Sequence, residues 1–379
     1  MEYRRLGKTD ISLSALGYGT MRLPTIDGVF NQVDIPKAKE LVRKAIDSGV
    51  NYVDTAYPYH GNGFSESAVK EILADGYRDK VYLGDKLSVW FCESYEDCEA
   101  FFEGQLERCG TDHFDLYVLH SLAGDLWEKA KKLDVFRLFE QKKKEGKIKY
   151  LGFSFHDSYE LFQEIADYYP WDFCILQYNF MDTDHQAGER GLRYAAQKGM
   201  GVLIMEPLKG GQLANEAPKE VTAVWAKSKH RFSSAGRGIS FVLNRPEVTT
   251  VLSGMNEMAQ VEENIALANQ CTSGFLDAEE EALYPQARAA YESLIQIPCT
   301  RCRYCMPCPA GVDIPNNFDY YNMGHMYQSI EHAKNFYNRP YFDPMRSTNC
   351  VNCGQCIDKC PQNLPIPDLL KKISEEWAK

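Results

Sequence analysis

Eight of the thirteen cysteines crowd into the last quarter of the chain, in two runs. The first is Cys299-x2-Cys302-x2-Cys305-x2-Cys308-Pro309, and the second is Cys350-x2-Cys353-x2-Cys356-x3-Cys360-Pro361. Three thiolates at two-residue gaps can each bind one iron of a cubic cluster, while a fourth cysteine just ahead of proline is turned toward a second cluster. The spacing therefore predicts two [4Fe–4S] clusters with crossed ligands. One takes Cys299, Cys302, Cys305 and Cys360, and the other takes Cys350, Cys353, Cys356 and Cys308. Zinc is an alternative, because four thiolates in two pairs suffice for it. Zinc has no use, however, for three successive cysteines followed by Cys-Pro. A third option is one cluster beside a degenerate site, since the first run has one residue fewer before its last cysteine. The other five, Cys92, Cys98, Cys109, Cys174 and Cys271, are scattered and read as small buried hydrophobes.

A second set of residues speaks of acid–base chemistry. Asp54, Tyr59, Lys86 and His120 each stand at or just beyond the end of a short apolar run. A phenol is a weak acid with an ordinary pKa near ~10. An adjacent ammonium eases its ionisation, and a carboxylate fixes the ammonium. Tyr59, Lys86 and Asp54 make such a relay, and His120 is suited to holding a carbonyl oxygen. Together they would protonate a ketone or aldehyde oxygen while hydride arrives at carbon. Singly, each has a plainer reading: Asp54 with Lys86 as a buried ion pair, Tyr59 as a surface aromatic, His120 as a core histidine.

The elements that must position these residues alternate. Short runs rich in Val, Ile, Leu, Tyr and Phe at 16–20, 52–55, 81–86, 116–120, 150–154, 173–177, 201–206 and 249–253 read as strands. Between them, 36–48, 65–74, 95–109, 127–144 and 257–270 carry apolar residues at helical spacing. Gly49, Gly76, Gly110, Gly146 and Gly199 stand where helices should stop. Eight strand–helix units predict a (β/α)8 TIM barrel, with chemistry at the C-terminal strand ends. An open doubly wound sheet is the alternative, but Gly17-Tyr18-Gly19-Thr20 is not the G-x-G-x-x-G turn such a sheet uses for dinucleotides. The opening 3–13 segment reads as a hairpin. The domains predicted are a barrel over 1–275, a linker helix over 276–298 and a small, mostly helical, ferredoxin-like domain over 299–379. Tyr320, Tyr321, Met323, Met326, Ile330 and Phe336 form an apolar stripe there that reads as core packing.

At this point the sequence resembles a known family. Asn51-Tyr52-Val53-Asp54-Thr55-Ala56-Tyr57-Pro58-Tyr59 looks like the signature of the aldo-keto reductases. Asp85-Lys86-Leu87, Tyr117-Val118-Leu119-His120, Leu151-Gly152-Phe153-Ser154 and Leu176-Gln177-Tyr178-Asn179 follow in the family's order. The resemblance covers roughly residues 1–275, and the cysteine segment resembles the ferredoxin-type dicluster domain. It implies a barrel and NAD(P)H-dependent carbonyl reduction. Tyr59 would be the general acid, tuned by Lys86 and Asp54, with His120 orienting the substrate. Ser154 and Gln177 would hold the nicotinamide carboxamide, and Pro207-Leu208-Lys209-Gly210-Gly211-Gln212 would lie along the pyrophosphate. Ser253, Glu263 and Asn264 match positions toward the adenine. The chain departs from the family at the cofactor: Met205 where an aromatic often lies under the nicotinamide, and Phe155 where Asn often follows the serine. The loop Ser253-Gly254-Met255-Asn256-Glu257-Met258-Ala259-Gln260 lacks the basic residues that usually hold a 2′-phosphate. NADH is therefore expected over NADPH, with Lys209 as the nearest substitute for a phosphate ligand.

Composition bounds the rest. The 379 residues are 44% hydrophobic and 25% charged, ordinary for a globular chain, with a formal net charge of −11. Such a balance disfavours nucleic acid and anionic membranes as partners. No apolar run is long enough for a transmembrane helix, and the N-terminus lacks a signal-peptide core, so a cytoplasmic protein is expected. The expected partners are a small carbonyl substrate and a redox protein. Trp90, Phe91, Phe155, His156 and Tyr178 are candidates for an aromatic substrate wall. Three functions compete: a reductase fused to an electron-transfer domain, a ferredoxin- or flavin-linked reductase fed by the clusters, and a carbonyl reductase whose clusters only staple the tail. Hydride and single electrons do not exchange directly, so the first two leave a place for flavin.

Overall fold

The computed structural model describes residues 1–377. The chain divides into two compact units, residues 1–210 with 236–277, and residues 211–235 with 278 onward.

The first unit begins with an antiparallel hairpin of β1 (Tyr3–Arg5) and β2 (Ser12–Ser14). Eight parallel strands then close into a barrel: β3 (Leu16–Gly19), β4 (Tyr52–Asp54), β5 (Tyr82–Leu87), β6 (Phe114–Leu122), β7 (Ile148–Phe155), β8 (Phe173–Gln177), β9 (Gly201–Met205) and β10 (Thr250–Ser253). They are neighbours in chain order, and β10 returns to pair with β3. The strands are almost wholly buried, as they must be when helices cover the outside and side chains fill the inside. Leu6 and Leu13 of the hairpin join one apolar cluster with Tyr52, Leu116, Val118, Phe173, Ile175, Leu203 and Leu252. The hairpin thus plugs the N-terminal end of the barrel, and the opposite end is left for chemistry.

The helices of this unit are α1 (Ile35–Asp47), α2 (Phe64–Ile72), α3 (Tyr95–Cys109), α4 (Gly124–Lys132), α5 (Val135–Lys144), α6 (Tyr159–Tyr168) and α7 (Gly188–Gln197). After α8 (Lys219–Trp225) come α9 (Ser234–Leu243) and α10 (Met258–Gln270). Their ends follow local chemistry. Asp34 accepts from the Lys37 amide ahead of α1, and Ser94 with Asp97 forms a capping box on α3. The helix expected over 127–144 is two helices. Asp134 takes φ 53° between α4 and α5, a left-handed turn that no glycine announces. The five scattered cysteines are all buried.

The second unit is helical. It holds α8, α11 (Ala278–Glu281) and α12 (Leu283–Glu292), then α13 (Ile314–Met326), α14 (Ile330–Tyr337) and α15 (Ile366–Trp377). The sequence treats 211–235 as part of a continuous barrel domain, but its contacts lie with α11 and α12. Trp225 meets Tyr284 at 5.1 Å, and Ser228 Oγ donates to Glu280 Oε2 at 2.7 Å. The expected linker helix is thus two short helices inside this unit. A core of Ile314, Phe318, Tyr321, Tyr337, Leu370, Ile373 and Trp377 lies behind the cysteine loops. The predicted stripe is only partly core: Tyr321 is buried, whereas Ile330 is exposed.

Candidate active site and cysteine cavities

The ends of β4 and β5 bring Asp54 and Lys86 together, with Tyr52 beside them. Lys86 Nζ donates to Asp54 Oδ2 at 2.5 Å and to the Thr55 carbonyl at 2.7 Å. Asp54 Oδ1 accepts from the Tyr52 hydroxyl at 3.0 Å. All three side chains are buried. Gly84 makes room for this arrangement, because a Cβ there would stand 2.4 Å from the Tyr52 hydroxyl. Burial alone would discharge Lys86. The Asp54 carboxylate outweighs it, so the pKa of the ammonium lies above its ordinary value.

Tyr59 follows in the loop after β4, with Lys86 Nζ 4.9 Å from its ring centre. Burial pushes its phenol pKa up, Lys86 pulls it down, and burial wins. The phenol therefore stays protonated at neutral pH. His120 on β6 presents its ring edge-on to Tyr59, with centres 6.1 Å apart, and Trp90 lies 5.0 Å from the imidazole. Burial and then the Lys86 charge hold the His120 pKa well below its ordinary value, so the ring is neutral. Its Nδ1 lies 2.8 Å from Ser88 Oγ. The four sequence-predicted residues thus form one constellation: a charged ammonium, a protonated phenol, a neutral imidazole and the carboxylate that anchors the ammonium.

Residues chosen for the cofactor fall in two groups. Ser154 is buried on β7, and its Oγ accepts from the Ser121 amide at 2.6 Å. Gln177, at the end of β8, donates from Nε2 to Asp182 Oδ2 at 3.2 Å. Lys209 donates to both oxygens of the same carboxylate. It is therefore held by Asp182, which corrects the expectation of a lysine available for phosphate. Pro207 is buried, and Leu208 lies so near Gly238 that a Cβ there would meet its Cδ2 at 2.5 Å. Gly210 and Gly211 both take positive φ, 68° and 93°, and the chain leaves the first unit between them. Ser253 and Asn264 meet directly, Nδ2 to Oγ at 3.0 Å, with Glu263 half-buried beside Asn264.

Several residues here escape a sequence reading. Arg22 comes from the loop after β3, and Cβ atoms built on Gly254 and Gly210 would stand 3.2 and 3.6 Å from it. Lys37 on α1 pairs with Glu257 at 2.7 Å. Two cations from remote sequence thus approach a loop that carries none. His60 is buried next to Tyr59: its Nε2 accepts from the Leu23 amide at 3.1 Å, and its Nδ1 faces the Phe30 carbonyl at 2.8 Å. It pins the segment that carries Arg22 against the turn that carries Tyr59. The aromatic wall is smaller than expected. Phe155 and Tyr178 are buried against Phe162 and Phe241, whereas Trp90 and Phe91 stay near His120 and Tyr57.

The cysteines of the second unit surround two cavities. One is lined by Cys299, Cys302, Cys305 and Cys360. The other is lined by Cys305, Cys308, Cys350, Cys353 and Cys356. Ile314 lines both. Among the described residues no three His, Cys, Asp or Glu side chains converge on a single ion position. Four cysteines or more line each of the two spaces, a donor set that fits an iron–sulfur group.

The barrel and the constellation at its C-terminal end define an oxidoreductase of the aldo/keto reductase type. Residues 15–273 match the model of the aldo/keto reductase family, and residues 298–364 match that of the 4Fe-4S dicluster domain. The chain belongs to the aldo/keto reductase family and carries a ferredoxin-type iron–sulfur domain C-terminal to the barrel in the sequence. It is 26% identical to the L-galactose dehydrogenase of Arabidopsis thaliana, over 74% of this chain and 92% of that one. It is 31% identical to the glyoxal reductase of Bacillus subtilis, over 53% of this chain and 69% of that one. The solved aldo-keto reductase of Bacillus halodurans, in its holo form, shares the fold with a TM-score of 0.63, 24% identity and coverage of 76% and 96%. Among the described residues, no helix is long and apolar enough to cross a membrane.

Proposed function

We propose that this chain reduces a small carbonyl compound with NADH, and that its C-terminal unit holds two [4Fe–4S] clusters that carry electrons. The constellation of Asp54, Lys86, Tyr59 and His120 carries the reading. Bound NADH would supply a hydride to the carbonyl carbon. Tyr59 gives its hydroxyl proton to the carbonyl oxygen, and the resulting alcohol leaves with that proton. Lys86 stabilises the phenolate left behind, Asp54 holds Lys86 in place, and solvent restores the proton. His120, being neutral, orients the oxygen without competing for the proton. Ser154 and Gln177 would hold the nicotinamide, and Ser253 and Asn264 the adenine end. Trp90 and Phe91 offer the substrate an apolar wall.

Relatives named for glyoxal and methylglyoxal reduction suggest small dicarbonyls as first substrates. Another relative is named an NADH-specific methylglyoxal reductase, which agrees with the cofactor preference. A ferredoxin-linked reaction is the second reading, and the two thiol-lined cavities favour it. In that case a flavin must mediate between hydride and single electrons. Anaerobic purification with iron, sulfide, flavin and nicotinamide analysis, followed by NADH oxidation with methylglyoxal, tests both. Methylglyoxal-dependent NADH oxidation that is lost in Tyr59→Phe supports the first. Bound flavin with cluster bleaching by NADH, and no carbonyl turnover, replaces it with the second.

A further inference from the structure

Ser88 stands two residues beyond Lys86, just past the end of β5. Side chains two apart along an extended strand leave it on the same side. Lys86 and Ser88 use that register differently. Lys86 reaches Asp54, and Ser88 Oγ reaches His120 Nδ1. Ser88 is fully buried, and His120 nearly so. Among the described residues the Ser88 hydroxyl makes no other hydrogen bond.

A neutral imidazole carries one N–H, and the partner of one nitrogen decides which nitrogen has it. His120 is neutral because burial, the Lys86 charge and His156 all disfavour its cation. With the proton on Nδ1, its Nε2 would turn a lone pair toward a carbonyl oxygen, which also bears lone pairs. With the proton on Nε2, the ring donates to that oxygen. The choice between a helpful and a repulsive histidine therefore lies with the group at Nδ1. A hydroxyl hydrogen rotates to suit its acceptor, so Ser88 can donate there.

We propose that Ser88 is a positioning residue whose hydroxyl donates to His120 Nδ1, keeps the imidazole proton on Nε2, and so makes His120 a hydrogen-bond donor to the substrate's carbonyl oxygen. The consequence for turnover rests on the carbonyl-reductase reading; the tautomer itself does not. One strand end then sets the protonation of both partners of the carbonyl oxygen, Tyr59 through Lys86 and His120 through Ser88.

The test is long-range 1H–15N NMR on the full chain labelled at histidine ring nitrogens, with His120 assigned by the signal missing from His120→Gln. The expected wild-type pattern is a protonated Nε2 and a bare Nδ1. In Ser88→Ala the ring should shift toward a mixture of tautomers. The kcat for carbonyl reduction should fall about ten-fold, the scale of one lost orienting hydrogen bond, while KM and NADH binding stay close to wild type. Ser88→Thr keeps the hydroxyl and should restore both the ring signal and kcat. A protonated Nδ1 in the wild type overturns the proposal, as does Ser88→Ala with an unmoved ring signal and full kcat. If the wild type turns over no carbonyl, the carbonyl reading fails while the tautomer result stands on the spectrum alone.

Discussion

Lys209 donates to both carboxylate oxygens of Asp182, at 2.8 and 2.7 Å. The same carboxylate accepts from the side-chain amides of Gln177 and Asn179, at 3.2 and 3.0 Å. Burial would raise the Asp182 pKa, but the Lys209 charge outweighs it and holds the carboxyl ionised below its ordinary range. One anion thereby ties residues after β8 to the segment after β9. Gln177 gives its N–H to Asp182, which in the proposed binding mode leaves its oxygen for a carboxamide N–H. Asp182→Asn removes the charge that organises both neighbours. We expect the NADH dissociation constant to rise about ten-fold, since hydrogen bonds to a charged group are worth more than neutral ones. Calorimetric titration measures it, and unchanged affinity would show that Gln177 is not set by Asp182.

The pair between Lys37 and Glu257 bears on cofactor choice. The loop after β10 brings no cation of its own, but Lys37 stands at its edge and is occupied by Glu257 at 2.7 Å. Both side chains are solvent-accessible, so the pair contributes little to stability. If the loop after β10 receives the adenosine end of the cofactor, as proposed, a 2′-phosphate there would meet a carboxylate and a lysine already engaged. Glu257→Gln releases Lys37 and removes the repulsion. The proposed preference for NADH over NADPH should narrow several-fold, through tighter NADPH binding and not weaker NADH binding. Fluorescence titration of both nucleotides decides it; a preference that does not move places phosphate discrimination elsewhere.

In the reaction proposed above, reduction requires the protonated phenol of Tyr59. Burial raises its pKa above the ordinary value of 10.0, against the downward pull of Lys86. Activity should therefore hold through neutral pH and fall only on an alkaline limb, as the phenol ionises. His120 should add no limb near pH 6 to 7, because its cation is disfavoured. Tyr59→Phe should lower kcat by roughly 10²-fold or more while thermal unfolding and NADH binding stay unchanged. A full pH–rate profile of both proteins checks this, and an acidic limb that disappears in His120→Gln would contradict the neutral imidazole.

What the sequence reveals of this molecule depends on the kind of signal each part needs. The barrel strands are short apolar runs between helices that end at glycines, and the candidate catalytic residues stand at or just beyond the strand ends, so both are legible by position. The break at Asp134 is not, because a non-glycine left-handed residue leaves no composition mark. Residues 211–235 look like any polar connection, and nothing in their pattern says that Trp225 packs on Tyr284. Asp182, Lys37, Arg22 and His60 act through partners remote in sequence, which only the closed barrel brings near. Phe155 and Tyr178 were read as substrate wall from residue type alone, and type does not say which side of the barrel a ring takes. Ser88 is the exception among the missed residues. Its two-residue offset from Lys86 at a strand end is visible in the sequence, once Lys86 has been recognised.

The cysteine cavities make the last prediction. Cys360, from the second run, lines the cavity of Cys299, Cys302 and Cys305, and Cys308, from the first run, lines the cavity of Cys350, Cys353 and Cys356. Cys305 lines both cavities, so the first run supplies three thiols to its own cavity and two to the other, and the second run three and one. Cys299, Cys305, Cys308, Cys350, Cys356 and Cys360 also pack against the helical core, whereas Cys302 and Cys353 are exposed. Thiolate–metal bonds that form only in the folded state are part of the folding free energy. Losing a crossed ligand should thus weaken the half of the unit contributed by the other run. Cys360→Ala should damage the cluster held by the first run, and Cys308→Ala the one held by the second. Electron paramagnetic resonance of each anaerobically purified, reduced variant separates the two, using Cys302→Ala and Cys353→Ala as references for damage to the first and second sites. Cys360→Ala should reproduce the spectrum of Cys302→Ala, and Cys308→Ala that of Cys353→Ala. The opposite matching would mean that each run binds its own cluster with all four cysteines, and iron content near zero in every variant would mean that the two sites do not form independently.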